Sequence, residues 1–162
     1  SMILYHGSNI LVDKIDLTKS NKHKDFGQAF YLSDDKGQAL KMGEFKVKIL
    51  NCGSPILSAF DFEESLLGTH SSLNVKIFSS YSLEWAEFVW NNRDEQQEFH
   101  HPYDIVYGPI ANDTIGFQMR MFRINGGDLH SFLIGLKYSK GETFQYAFCT
   151  DKAINYLRRL EL

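Results

Sequence analysis

The chain has 162 residues and 18.7 kDa, with 43% hydrophobic and 23% charged residues. That mix excludes a disordered or collagen-like chain, and the longest apolar run falls far short of the roughly 20 residues a membrane span needs. The net charge of −3 sits in the middle: residues 1–50 carry +2, residues 51–110 carry −7 and residues 111–162 carry +2, a distribution that disfavours nonspecific binding to a phosphate backbone.

At this length one domain is expected, over residues 2–162, with Ser1 read as a remnant ahead of Met2. The chain opens without a charged-then-apolar leader, so a cytoplasmic location is expected, or delivery as an effector or toxin. Cys52 and Cys149 match no zinc or redox spacing and read as two free structural thiols. No metal is expected, and His100-His101-Pro102 reads as a loop.

In chain order, runs rich in Ile, Val, Phe and Tyr predict strands at 3–5, 30–32, 46–51, 74–78, 104–107, 131–136 and 144–149. Ser33 reads as the cap of a helix to about residue 42, with Asp34 and Asp35 at the positive end of its dipole. Ser82 caps a second helix to residue 92, where Trp85, Phe88 and Val89 share a face. Asn112 or Asp113 starts a third, with Ile115, Met119 and Phe122 on one side. Thr150 caps the last, which puts Ala153, Ile154, Leu157 and Leu160 on one face and Arg158 and Arg159 at its negative end. Strands outnumber helices without alternating strictly with them. The expected class is therefore α+β with antiparallel or mixed sheets.

Three segments hold residues suited to chemistry. In Leu4-Tyr5-His6-Gly7-Ser8 a strand runs into an imidazole, a glycine that admits close backbone approach, and a hydroxyl. His6 is either a structural histidine satisfied by a carbonyl or a ligand-holding one. In Asp25-Phe26-Gly27-Gln28-Ala29-Phe30-Tyr31-Leu32-Ser33 a glycine turn feeds a short aromatic strand, with Phe30 and Tyr31 on opposite faces. Either ring is core or offers a stacking surface. In 144–150 alternation sets Phe144, Tyr146 and Phe148 against Gln145, Ala147 and Cys149, and Gln145 is either an exposed edge residue or an amide with room for a ligand.

In this order the three segments resemble the motifs of the ADP-ribosyltransferase superfamily, on its His-Tyr-Glu branch of poly- and mono-ADP-ribosyl transferases. The corresponding residues are His6-Gly7-Ser8, Gly27 to Leu32, and Gln145-Tyr146. The chain is also similar, over nearly all its length, to a small bacterial family of the domain-of-unknown-function 3990 type. That similarity runs through Leu-Tyr-His-Gly-Ser, Trp85-x-x-Phe88-Val89-x-x-Asn92-Arg93, and the stretch from Tyr103 and Asp104 through Gly108-Pro109 to Asn112-Asp113. The resemblance implies two small, roughly perpendicular sheets with an NAD cleft between them and flanking helices. It implies that His6, helped by Ser8, holds the adenosine ribose. The Gly7 backbone would pair with the nicotinamide carboxamide, Tyr31 would stack on the nicotinamide ring, and Gln145 would hold the 2′-hydroxyl of the nicotinamide ribose. His6, Tyr31 and Gln145 are thus the implied catalytic residues and NAD the implied substrate.

The implied activity is mono-ADP-ribosyl transfer to an unknown acceptor, a protein or small molecule rather than nucleic acid. The alternatives are an NAD glycohydrolase or a weakly catalytic module that binds NAD or ADP-ribose. Gln145 stands where the polymerising members carry Glu, which argues against poly-ADP-ribosylation. Ala29 replaces the second motif glycine, and Ala39 and Met42 stand where a serine and a second stacking aromatic usually lie. Arg93 is free in this reading to pair with the acidic middle segment or to reach a diphosphate.

Overall fold

The computed structural model describes residues 1–136 and 143–162. Its strands are β1 (Met2–Ser8), β2 (Phe30–Leu32), β3 (Ile56–Phe62), β4 (Val75–Ile77), β5 (Ile105–Ile110), β6 (Thr143–Phe148) and β7 (Arg158–Leu160). Its helices are α1 (Lys36–Leu50), α2 (Leu83–Arg93), α3 (Asp113–Ile124), α4 (Leu129–Leu136) and α5 (Asp151–Ile154). One sheet has the order β1-β3-β7 and is antiparallel; the other has the order β2-β6-β5-β4, antiparallel except for the parallel β4–β5 pair. The α+β class with mixed sheets is the one expected.

Two apolar layers hold this together. Leu4, Phe60 and Phe62 of the three-stranded sheet pack against Phe30, Leu32, Ile105, Tyr146 and Phe148 of the four-stranded one. The opposite face of the four-stranded sheet, with Tyr31, Val106 and Ala147, packs against Trp85, Phe88, Val89, Ile115, Met119 and Phe132 of α2, α3 and α4. β6 serves both layers because its side chains alternate: Tyr146 and Phe148 enter one, Ala147 and Cys149 the other.

Four expectations are corrected by the fold. Residues 46–50 belong to α1 and Asn51 caps it, so no strand forms there. The Asp35 carboxylate, rather than Ser33, accepts the Gln38 N–H at 3.1 Å, and the helix runs on until Asn51 takes left-handed geometry at φ 49°. Residues 131–136 are helical: Asp128 accepts the Ser131 N–H at 2.8 Å and Phe132 and Leu136, one turn apart, enter the core. The last helix stops at Ile154, and residues 158–160 pair with β3, with ion pairs from Arg158 to Asp61 and from Arg159 to Asp13. Residues 56–62, with no strand predicted, form β3 at the centre of the first sheet. The caps Ser82, Asn112 and Thr150 stand as read, each accepting a first-turn N–H.

Candidate functional site

The two sheets part where β1 meets β2. Tyr5 and Ser33 exchange both backbone hydrogen bonds, at 2.7 and 2.8 Å. Two residues further on, a continuing antiparallel ladder would pair Gly7 with Tyr31. The Tyr31 carbonyl instead takes the His6 side chain, with Nδ1 at 2.7 Å. A carbonyl only accepts, so Nδ1 carries the proton and Nε2 presents a lone pair. The imidazole stacks on Phe30, with ring centroids 4.3 Å apart. Burial, with Lys46 and Lys24 nearby, lowers its pKa to about 4, so the ring is neutral at neutral pH. By strand alternation the Gly7 amide points to the same side as that of Tyr5, into the place the ladder vacates.

Tyr31 is buried. Its hydroxyl donates to the Gly27 carbonyl at 2.7 Å and accepts from the Phe26 N–H at 3.1 Å, while Lys24 Nζ lies 5.1 Å from the ring centroid. The ring therefore packs in the helical layer, and its hydroxyl closes the Phe26–Gly27 turn onto β2. Tyr31 sits opposite Ala147. Gln145, two residues along β6, lies on that same face and is only 3% exposed. It is not an exposed edge residue: it pairs with Gly108 of β5 and is buried one residue past the end of the β2 ladder. Its Nε2 donates to the thioether of Met42 on α1 at 2.6 Å. A thioether is a weak acceptor, so Gln145 spends an amide donor on a poor partner beneath a flexible side chain.

Gly7 and Ser8 lie under α1. A Cβ on Gly7 would collide with the Ala39 carbonyl, and one on Gly43 would come within 3.1 Å of Ser8 O. Helix and strand thus touch backbone to backbone at Gly7, with Gly43 lying close over Ser8. Ser8 is 2% exposed, with Oγ 3.4 Å from Asn9 Oδ1. The structure joins the His6 side chain to the Tyr31 backbone and sets Gln145 two residues along β6 from Ala147, the partner of Tyr31, whereas Gly7 and Ser8 are covered by the helix.

A family model described as a protein of unknown function (DUF3990) matches residues 2–159. The chain belongs to the DUF3990 family. Neither the curated proteins nor the solved structures gave a match.

Other parts of the pattern that this DUF3990 chain carries prove to be braces. Asp25 is buried; its Oδ1 accepts Arg93 Nε at 2.6 Å and its Oδ2 accepts the Ala111 N–H at 2.7 Å. Burial raises its pKa, against the pull of Arg93 and that N–H. Arg93 therefore pairs with Asp25 rather than with the acidic middle segment, and it ties the end of α2 to the second motif. Asp104 accepts from Thr150 Oγ1 at 2.7 Å and from the Asn74 N–H at 2.8 Å, joining β4, β5 and the cap of α5.

Beside this brace a pocket of about 200 Å³ opens between the Gly27 turn, the C-terminal end of β6 and the 98–103 loop. Asn92 reaches it from α2 and is 3% exposed. The sequence signal was available: Asn92 falls on the same helical face as Trp85, Phe88 and Val89, a polar residue on an apolar stripe. No described helix is long and apolar enough to cross a membrane.

Proposed function

We propose that this DUF3990 chain cleaves the nicotinamide–ribose bond of NAD and transfers ADP-ribose to an acceptor, a protein or small molecule. The observation that carries this reading is the meeting of three separate segments where the two sheets part, with His6 and Tyr31 joined by a 2.7 Å hydrogen bond and Gln145 on the Tyr31 face. In this reading the Tyr31 hydroxyl fixes the Phe26–Gly27 turn and its ring stacks on the nicotinamide. Neutral His6 offers its Nε2 lone pair to a ribose hydroxyl. The Gly7 amide serves the carboxamide, and Ser8 supports the His6 end of β1. Gln145 exchanges the Met42 thioether for the 2′-hydroxyl of the nicotinamide ribose, a stronger acceptor. Met42 is 39% exposed, and its unbranched chain has the freedom to swing aside.

The bond that breaks joins nicotinamide nitrogen to the ribose anomeric carbon. The electron pair leaves with neutral nicotinamide, so no general acid is required. The ribosyl carbon gains oxocarbenium character, and an acceptor nucleophile attacks it and gives up its proton. What remains for the protein is orientation and support of the developing charge. An amide at 145 orients without supplying charge, and this favours, as a second reading, a slow enzyme or a module that binds NAD without turnover.

The test is incubation of the folded protein with labelled NAD and cell extract, with nicotinamide release followed in parallel. Label on macromolecules or on a small acceptor supports the transferase. Free ADP-ribose alone shifts the reading to a glycohydrolase. NAD binding without consumption leaves the module, and neither binding nor consumption overturns the proposal.

A further inference from the structure

Asn92 Oδ1 is a buried oxygen without a hydrogen-bond partner among the described residues. Its orientation is fixed by the other half of the amide: Nδ2 donates to the Phe88 carbonyl at 2.9 Å, which leaves Oδ1 turned toward Gly27. A Cβ on Gly27 would stand 3.0 Å from Oδ1, and Gly27, at φ +84°, carries none. Asn92 and Gly27 both line the 200 Å³ pocket. A buried acceptor left without a partner is costly unless a donor reaches it. The pocket is therefore built around a demand for an incoming N–H or O–H.

The rest of the wall narrows what can bring that donor. Phe99, His101 and Tyr103 line the pocket and cluster around Phe88, with ring centroids 4.9 to 6.0 Å from it. Flat aromatic walls favour a flat guest. His101 spends both nitrogens internally, Nε2 donating to Phe26 O at 2.9 Å and Nδ1 accepting the Tyr103 N–H at 3.2 Å, so it is neutral. Cys149 keeps its proton, its thiol pushed up to about 12 by burial. The charged side chains, Lys22 and Glu98, lie exposed at the rim with opposite signs. Among the described residues the deep part offers no counter-charge, and burying an unpaired ion there would be costly. The space, about 200 Å³, has room for one or two fused rings.

We propose that this pocket is a binding site for an uncharged heteroaromatic ring bearing an N–H donor, of the nucleobase type, with Asn92 Oδ1 as its acceptor. The site is separate from the proposed NAD site: it lies past the C-terminal end of β6, whereas Gln145 is near the start of that strand. The proposal does not rest on NAD cleavage.

The probes are 9-methyladenine and 1-methylcytosine, whose N–H donors are confined to the exocyclic amine, and 6-dimethylamino-9-methylpurine, which has none. Binding to the full chain is followed by amide and side-chain NMR. The expected result is a Kd of about 1 mM or tighter for at least one amine-bearing base, with shifts at Gly27, Asn92 and His101 and at least a tenfold weakening for the dimethylated purine. Asn92→Leu, which removes the acceptor while keeping the branched skeleton, should abolish that binding. Were this variant not to fold, the comparison of methylated and unmethylated bases on the natural chain decides alone. The proposal is overturned if neither base binds up to about 10 mM, if the dimethylated purine binds equally well, or if folded Asn92→Leu binds as before; water would then be the partner of Oδ1. These probes carry neither ribose nor diphosphate, so failure of the NAD reading leaves the outcome unaffected.

Discussion

Gln145 is the residue on which the proposed chemistry turns. A group that acts on the forming cation contributes mainly to rate and little to ground-state affinity. At saturating NAD, Gln145→Ala should lower nicotinamide release by about 100-fold, the usual loss for one positioned hydrogen-bonding group, with little change in NAD affinity. Gln145→Glu should raise release, because a carboxylate supports a developing positive charge better than an amide does. Release unchanged in both variants would remove Gln145 from the mechanism. The two thiols supply a second check at this scale. Cys52 is exposed, while burial holds the Cys149 thiol well above its ordinary pKa. Thiolate is the reactive form, so a thiol reagent at pH 8 should modify Cys52 quickly and Cys149 slowly. Two fast equivalents would mean that the Cys149 layer opens readily.

At the scale of the elements, the contact of α1 with β1 makes a sharp prediction. Gly7→Ala sets a methyl against the Ala39 carbonyl. Neither backbone has a flexible end to move, so the loss should reach the upper end of the 1–3 kcal/mol range for overpacking, about 3 kcal/mol. Gly43→Ala meets Ser8 at 3.1 to 3.2 Å and gains up to about 1 kcal/mol of helix propensity, so it should be close to neutral. Urea melts of the two variants measure both; equal effects would show that α1 is not held this way. Elements with local signals were legible in the sequence. Ser82, Asn112 and Thr150 cap helices because each carries an oxygen one turn before a free N–H. Strand β6 was legible because alternation alone sorts Tyr146 and Phe148 from Ala147 and Cys149. What escaped was decided at long range. Val47 and Ile49 have strand propensity, yet residues 46–50 stay helical, in a helix seated on β1 by Ala39 and Gly43. Residues 158–160 leave a helical pattern because β3 offers an edge. The Asn92–Gly27 pocket and the Asp25–Arg93 brace each join residues more than 60 positions apart, and no local spacing announces such a pair.

For the whole molecule, acid should loosen the fold through His6. Its pKa is about 4 folded and about 6.5 unfolded. Above pH 6.5 both states are neutral and this contribution is fully present. As pH falls from 6.5 toward 4 the unfolded chain takes a proton that the folded one refuses, and up to about 3 kcal/mol of stability is lost. Burial lowers the pKa of His101 in the same direction. Urea midpoints between pH 7 and 4 should therefore fall more steeply for the natural chain than for His6→Gln; parallel profiles would mean that His6 accepts its proton without cost.

The three-stranded sheet has one more consequence. β1 and β7 each run antiparallel to β3, so they run parallel to one another on either side of it. A tether pulling backwards on Met2 and forwards on Leu160 would load both ladders along the strands, so that their hydrogen bonds must break together and not one at a time. The same pull applied through Met2 and Phe62, partners at one end of the β1–β3 ladder, would unzip it pair by pair. The domain should thus be mechanically stiff when stretched from its first strand to its last and weak when peeled from one side. The direction of pull matters here because rupture follows the unfolding barrier along that direction, not the equilibrium stability.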